Sequence, residues 1–402
     1  MQKKPLDQQH IKALFCVASA KLPYHLSAPT PDMYTRSLLL CSLLTVASLP
    51  AYLRRPSNAL AVILIGLSSL CGPAYAEQGT NGIDQVTLPV SNRNPLVNIH
   101  GLPIAPTLAF TQAKEPNGSP LNLSLNLANY SLSSQSSPQN AEGNTVEAMV
   151  FDGELFRSEL GIMMALGPHS AVSVTLPYLA HHSGNSDQPI EQWHSIFGLP
   201  NGNRDQRAQD LLLYEYQVNG APRVLLERNT SGVGDLQLAW QYALPSRKDA
   251  KRLHSLRINI KLPTGDEARL TGSGTTSASV DWTVGRWSSE RWPRLSGQTT
   301  FGALWLGNTG LLEDLRKDWA GYGSGSIAYR LGQRTTIKFQ LDLHSALYHS
   351  ATDELGSIGG QLALGGSVQL SNRFIADLYF TEDIIPSSSP DFGLGVALHY
   401  RP

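Results

Sequence analysis

The chain has 402 residues, 31 basic and 32 acidic, with 41% hydrophobic and 16% charged residues and 35 glycines. The balanced charge excludes a nucleic-acid binder working through its net field. The slightly negative mean hydropathy excludes a helical membrane protein but suits either a soluble protein or a barrel of alternating strands. The length admits two or three ordinary domains or one large β-domain. All three cysteines, Cys16, Cys41 and Cys71, lie in the first fifth of the chain, so a product without that region has no disulfide and no cysteine metal site.

Arg54-Arg55 precedes the apolar run Ala59 to Leu67, followed by Ala74-Tyr75-Ala76. A basic start, a short apolar run and a small-x-small end read as a secretory signal cleaved before Glu77. The run falls short of the about 20 apolar residues that a spanning helix needs. Cys71 follows a bulky Leu70, which argues against a lipid-attachment site. A second apolar run, Leu38 to Ala47, begins just after Met33 and points to a true start downstream of Met1. Residues 1–76 are therefore expected to be a targeting region. Residues 77–120, rich in Asn, Pro and Gly with one extended stretch at Ile104 to Gln112, are expected to form a periplasmic lead-in with room to tuck into the domain after it.

From Leu121 the pattern changes. Leu121, Leu123, Leu125 and Leu127 alternate with Asn122, Ser124 and Asn126, a strand periodicity. Similar segments come around Phe156 to Leu166, Val172 to Tyr178, Leu236 to Tyr242, Leu256 to Leu262, Ala278 to Val284 and Leu295 to Leu306. Five more run through Gly321 to Leu331, Ile337 to Leu343, Ile358 to Leu370, Phe374 to Phe380 and Phe392 to Tyr400. Their connections alternate in length. Gly167 to Ser170, Gly332-Gln333 and Ser371-Asn372 are tight and 245–252 and 286–293 short, whereas 132–145, 182–230, 263–276, 307–319, 348–357 and 382–390 are longer. Short turns at one end and long loops at the other, with an even strand count, describe an all-β transmembrane antiparallel up-and-down β-barrel of about twelve strands, within a range of about 10–14, over residues 121–402. The last strand resembles the closing strand of Gram-negative outer-membrane barrels, with Tyr400 near the position of their terminal aromatic assembly signal, although Arg401-Pro402 come after it.

If the apolar face meets lipid, the other face lines a lumen with Arg157, Glu159, Asp235, Arg257, Lys261, Asp281, Lys338, Asp342 and His344, together with Gln340 and Asp377. Arg or Lys on the lipid side near the midplane would cost about 2–4 kcal/mol, which supports this phase. Two arrangements are open: the charges pair and fill the interior, or they line a hydrated pore. In the long segment 182–230, Ile190, Trp193, Ile196 and Phe197 fall at helical spacing, and Asn219-Gly220 marks a hairpin. Trp193, His194, Phe197 and Arg204 are the residues expected to form an external lid or a constriction.

Ile190-Glu191-Gln192-Trp193-His194-Ser195-Ile196-Phe197-Gly198-Leu199-Pro200 with Arg204, and Asn94-Pro95-Leu96 through His100-Gly101-Leu102-Pro103, resemble an uncharacterised proteobacterial envelope family, domain of unknown function 3187. The resemblance implies an outer-membrane location over residues 90–402 and carries no known activity. Gly232-Val233-Gly234-Asp235 and Pro263-Thr264-Gly265-Asp266 are similar to segments of outer-membrane proteins for phenol and aromatic-hydrocarbon uptake, though turn chemistry alone would account for them.

Asp342, His344 and Ser345 are close in sequence, but Ser345 falls on the opposite face from His344, which places it out of hydrogen-bond reach. A lipid hydrolase would need a serine from another strand, such as Ser279 or Ser367. His181, His182, His194 and Asp187 lack regular metal-ligand spacing. The reading is thus a monomeric outer-membrane channel or transporter for a small molecule, with no enzyme activity, cofactor, metal or nucleic-acid partner expected. Its partners are outer-membrane lipids, the barrel-assembly machinery and a solute, and the alternatives are a structural or adhesive barrel with a packed lumen and, behind it, an outer-membrane lipid hydrolase.

Overall fold

Alternating apolar and polar residues do become strands, and the strands close. A computed structural model describes residues 86–90, 94–103, 120–198, 204, 207–244, 253–285, 292–385 and 390–402, with only the backbone at 197. Its strands are β1 (Leu121–Ser136), β2 (Glu147–Ala165), β3 (Ser170–His182), β4 (Leu213–Val218), β5 (Ala221–Leu226), β6 (Thr230–Val233), β7 (Leu236–Ala243) and β8 (Leu253–Leu262). They continue as β9 (Ser277–Gly285), β10 (Leu295–Leu306), β11 (Trp319–Arg330), β12 (Thr335–His344), β13 (Gly359–Gln369), β14 (Phe374–Asp383) and β15 (Phe392–Tyr400). Three short helices accompany them: α1 (Pro95–Asn98), α2 (Asp187–Phe197) and α3 (Asp353–Gly356). The extended stretch expected at Ile104 to Gln112 lies outside the described residues, as does the region 1–76.

Twelve strands, all but β4, β5 and β6, form a closed antiparallel wall in which neighbours in space are neighbours in the chain. β1 pairs with β15 from Leu123 opposite Tyr400 to Ser131 opposite Phe392, leaving no edge in the cylinder. The three extra strands arise from unequal lengths. β2 outruns β3, which ends at His182 opposite Glu154, so Glu147 to Asp152 pair with β4 instead. β4 and β5 form the hairpin expected at Asn219-Gly220, where both residues take positive φ, 50° and 75°. β6 covers β3 beyond Pro177, whose carbonyl accepts from Gly234 N at 2.8 Å.

The two faces differ as the periodicity requires. In β15, Leu394 and Val396 are 48% and 46% exposed while Ala397 between Val396 and Leu398 is 1% exposed. The same outward apolar row runs through Ile162, Leu176, Ile260, Val280, Ile327 and Phe339. Aromatic residues gather at the rims: Phe374 and Tyr400 meet at 4.7 Å at the tight-turn end, and Trp305 pairs with Trp319 at the loop end. A closed barrel with an outward apolar band between aromatic rims is an outer-membrane barrel, because only closure satisfies every backbone group in hydrocarbon. The tight-turn end then faces the periplasm and the long-loop end the outside. None of the described helices is long and apolar enough to cross a membrane.

The interior is graded along its axis. Near the loop end it holds an apolar cluster that includes Phe151, Leu155, Tyr214, Leu304, Leu347 and Tyr348. Toward the tight-turn end the inward side chains are polar, among them Thr283, Gln298, Thr336, Lys338, Ser367 and His399.

Candidate functional site

The inward charges all sit in contacts. Arg157 bonds Glu159 at 2.7 Å, Arg257 bonds Asp281 at 2.8 Å, and Tyr322 OH donates to Asp281 at 3.0 Å. Lys338 reaches Asp377 at 3.1 Å, and His399 meets the other Asp377 oxygen at 2.9 Å while Ser367 donates to the first. Asp342 accepts from Gln340 at 2.8 Å, and His344 Nδ1 lies 2.9 Å from the Ser345 carbonyl. Each pair forms within one strand or across one or two, because register and alternation place opposite charges on adjacent inward positions.

Lys261 bonds Asp235, Ser273 and the Thr275 carbonyl. Asp235 in turn accepts from Gly265 N at 2.9 Å and Ser273 N at 3.0 Å. Thr264 Oγ1 donates to the Gly234 carbonyl and accepts from Leu236 N, both at 2.9 Å. A Cβ on Gly265 would come 2.6 Å from the Thr271 carbonyl oxygen, and one on Gly272 would come 2.5 Å from Asp235. The Gly-x-Gly-Asp and Pro-Thr-Gly-Asp segments therefore interlock two loops at the outer rim around a buried ion pair.

A segment from before the wall runs through the bore. The backbone of residues 87–89 is held by wall side chains: Lys338 Nζ donates to the Thr87 carbonyl at 2.8 Å, and Gln340 accepts from Leu88 N at 2.8 Å and donates to its carbonyl at 3.3 Å. Asn126 and Tyr379 donate to the Pro89 carbonyl at 2.9 and 3.2 Å. Leu88 and Val90 are fully buried. The chain then enters α1, which Asn94 caps by accepting from Leu96 N at 3.0 Å and Pro95 opens at its first position. Tyr348 donates to the Leu96 carbonyl at 2.8 Å and meets His100 Nε2 at 2.7 Å. Leu96, Val97 and Ile99 join the apolar cluster near the loop end. Gly101 turns the chain back at φ +67°, against the aliphatic stem of Lys261. Leu102 and Pro103 then face Arg257, Tyr322 and Asp342 across a gap with room for about one water.

At the outer rim, Arg204 is buried and donates to Asp187 at the start of α2, to Asp391 just before β15 at 2.7 Å, and to Ser131 of β1 at 3.0 Å. Glu154 receives Asn185 N and Ser186 N at 2.9 and 2.8 Å, fixing where the helix begins. Burial pushes the Asp391 carboxyl up to about 6, against the pull of Arg204. Trp193 packs against Phe380 and Phe392 with ring centres 6.0 and 6.3 Å apart, and His194 lies 3.4 Å from Glu382. Phe380, Glu382 and Phe392 alternate with the inward Tyr379, Thr381 and Gly393, so α2 lies across the rim. The Phe197 side chain is outside the described residues.

The residues weighed for hydrolysis or metal binding go to other partners. Ser367 donates to Asp377, Ser279 accepts from Asn259 at 3.0 Å, and His181 meets the Leu270 carbonyl at 3.0 Å. Among the described residues no group of three or more His, Cys, Asp or Glu is placed to hold a metal ion. Sequence reasoning allowed the lead-in to tuck into the domain after it, but gave none of residues 86–90 and 94–103 a place in the bore. The signal was present in the alternation of Val86, Leu88 and Val90 and in the Asn94-Pro95 helix start, beside the stronger turn chemistry of the same region.

The sequence profile of a family described as "Protein of unknown function (DUF3187)" matches residues 63–401. No curated protein matches the sequence. Among solved structures, the chain is similar to the COG4313 outer membrane channel from Pseudomonas putida F1, with 11% identity, TM-score 0.47, and coverage of 74% of this chain and 100% of that one. It is also similar to the NanC porin, with 8% identity, TM-score 0.38 and coverage of 69% and 98%. A mutant of the TodX monoaromatic hydrocarbon channel gives 10% identity, TM-score 0.39 and coverage of 80% and 98%.

Proposed function

The chain belongs to the DUF3187 family, whose function is unknown, and from the geometry of its bore we propose an outer-membrane channel for a small molecule, closed here by residues 86–90 and 94–103. One observation carries this reading. Wall side chains satisfy the main chain of residues 87–89, so the bore is hydrophilic at that level and its closure comes from a segment outside the wall. Arg157, Glu159, Asp235, Arg257, Lys261, Asp281, Lys338, Asp342 and His344 line the path once that segment moves, and α2 with Arg204 is a lid at its outer mouth. Residues 1–76 direct export and are removed after Ala76, and the closing strand is read by the assembly machinery to give a monomer. A second reading, a structural barrel with a permanently packed interior, is favoured by the wall ion pairs.

A cross-link separates the two. A Cβ on Gly101 would lie 3.5 Å from the Lys261 Cβ, within the range of about 3.5–4.5 Å that a disulfide requires. In the Gly101→Cys, Lys261→Cys variant, Asp235→Asn removes the carboxylate that Lys261 now neutralises. The oxidised protein in planar bilayers is expected to stay closed, and reduction is expected to restore openings and solute flux. Equal conductance in both states refutes gating by this segment, and silence in both favours the packed barrel.

A further inference from the structure

We infer that Lys338, Gln340, Asn126 and Tyr379 form a binding strip for the main chain of a short peptide, and that residues 87–89, which turn at Pro89 through a Val90 N–H to Leu88 carbonyl bond of 2.9 Å, occupy it as a tethered stand-in for a peptide ligand. This rests on the reading that the segment can leave the bore. All five hydrogen bonds from these four side chains to the segment go to main-chain atoms: the carbonyls of Thr87, Leu88 and Pro89 and the N–H of Leu88. Gln340 takes both polar groups of one residue with its amide, so it reads the backbone and not a side chain.

The strip is set in place by the wall itself. Asp377 holds Lys338, Asp342 and Ser326 hold the Gln340 amide, and Glu159 and Tyr379 bond Asn126. Lys338 and Gln340 are fully buried, so the groups that meet the segment need equivalent partners when it leaves. A peptide with the same turn supplies the same carbonyls and N–H at the same spacing. The buried Leu88 and Val90 side chains show that the strip accepts aliphatic residues at and beyond its central contact. A tether holds its own segment at an effective concentration of the order of millimolar, so a free peptide competes only when the segment is loosened or the peptide is concentrated.

The test uses the full chain carrying Leu96→Ala, which loosens the segment without touching the strip, folded as judged by heat-modifiable migration. The probes are a capped, fluorescent Val-Thr-Leu-Pro-Val peptide and the same peptide methylated on the leucine nitrogen. Saturable binding by anisotropy is expected, weakened about tenfold or more by the methyl group or by Gln340→Leu. No saturable binding, or binding indifferent to both changes, overturns the inference. Channel recordings on the same protein keep the two readings apart. Conductance without peptide binding removes the peptide site and leaves the channel, whereas peptide binding without conductance leaves the site and removes the channel.

Discussion

Leu96→Ala tests closure by the inserted segment most directly. The Leu96 side chain is fully buried in the apolar cluster, while its N–H is capped by Asn94 and its carbonyl accepts from Tyr348. Truncation therefore removes packing and keeps both hydrogen bonds. Emptying a buried leucine site to alanine costs about 2–5 kcal/mol. In the withdrawn state the same side chain meets water and its loss costs little, so nearly the whole penalty falls on the closed form. At about 1.4 kcal/mol per tenfold, the ratio of open to closed channels should rise by about 30-fold to several thousand-fold. Single-channel recording reads this as open probability, and the heat at which the barrel unfolds should stay unchanged because the wall is intact. An unchanged open probability in a normally folded barrel would refute the reasoning. So would a wild-type bore that is already open, since no closed form would then exist to lose.

Acidity provides a second handle. Burial, with Lys261 and Arg316 adding repulsion, holds the His100 imidazole well below its usual range, so the closed form keeps it neutral beside Tyr348. The inserted state binds fewer protons than the withdrawn one, so closure is complete above about pH 6.5 and weakens below it, by up to about tenfold in open probability per pH unit. His100→Gln should flatten that profile, and an identical slope in the variant would show that another group titrates. At the rim, Arg204→Met leaves Asp187 and Asp391 without their shared cation, a loss of about 3–5 kcal/mol. Limited proteolysis should then cut around α2. Because burial already raises the folded Asp391 carboxyl above the ordinary carboxylate range, and losing Arg204 raises it further, its protonated form favours the docked state, so protection in this variant should return as pH falls. Equal cleavage at pH 5 and 8 would remove Asp391 from the account.

How the fold could be read from the chain, and the site only in part, is clear from individual residues. Leu125 and Leu127 face out and Asn126 faces in because side-chain direction alternates with sequence position alone, a local property that needs no partner. Turn lengths likewise belong to the chain, and with the alternation they specified the wall, its closure between β1 and β15, and the hairpin at Asn219-Gly220. Of the residues that carry the family resemblance, Asn94 to Leu96, His100 to Pro103, Ile190 to Gly198 and Arg204 proved to lie in the bore segment and in and beside the rim helix, outside the wall.

Their positions depend on contacts that no local pattern encodes. Lys338 and Thr87 are 251 positions apart, and Tyr348 and Leu96 are 252 apart. Whether Lys338 stays hydrated or binds Asp377 and a passing carbonyl depends on strand register and on what enters the cylinder. The barrel is written in local alternation, since one residue's face is set by its neighbours'. That the bore is filled emerges with the folded chain, because filling it brings together groups more than 250 positions apart.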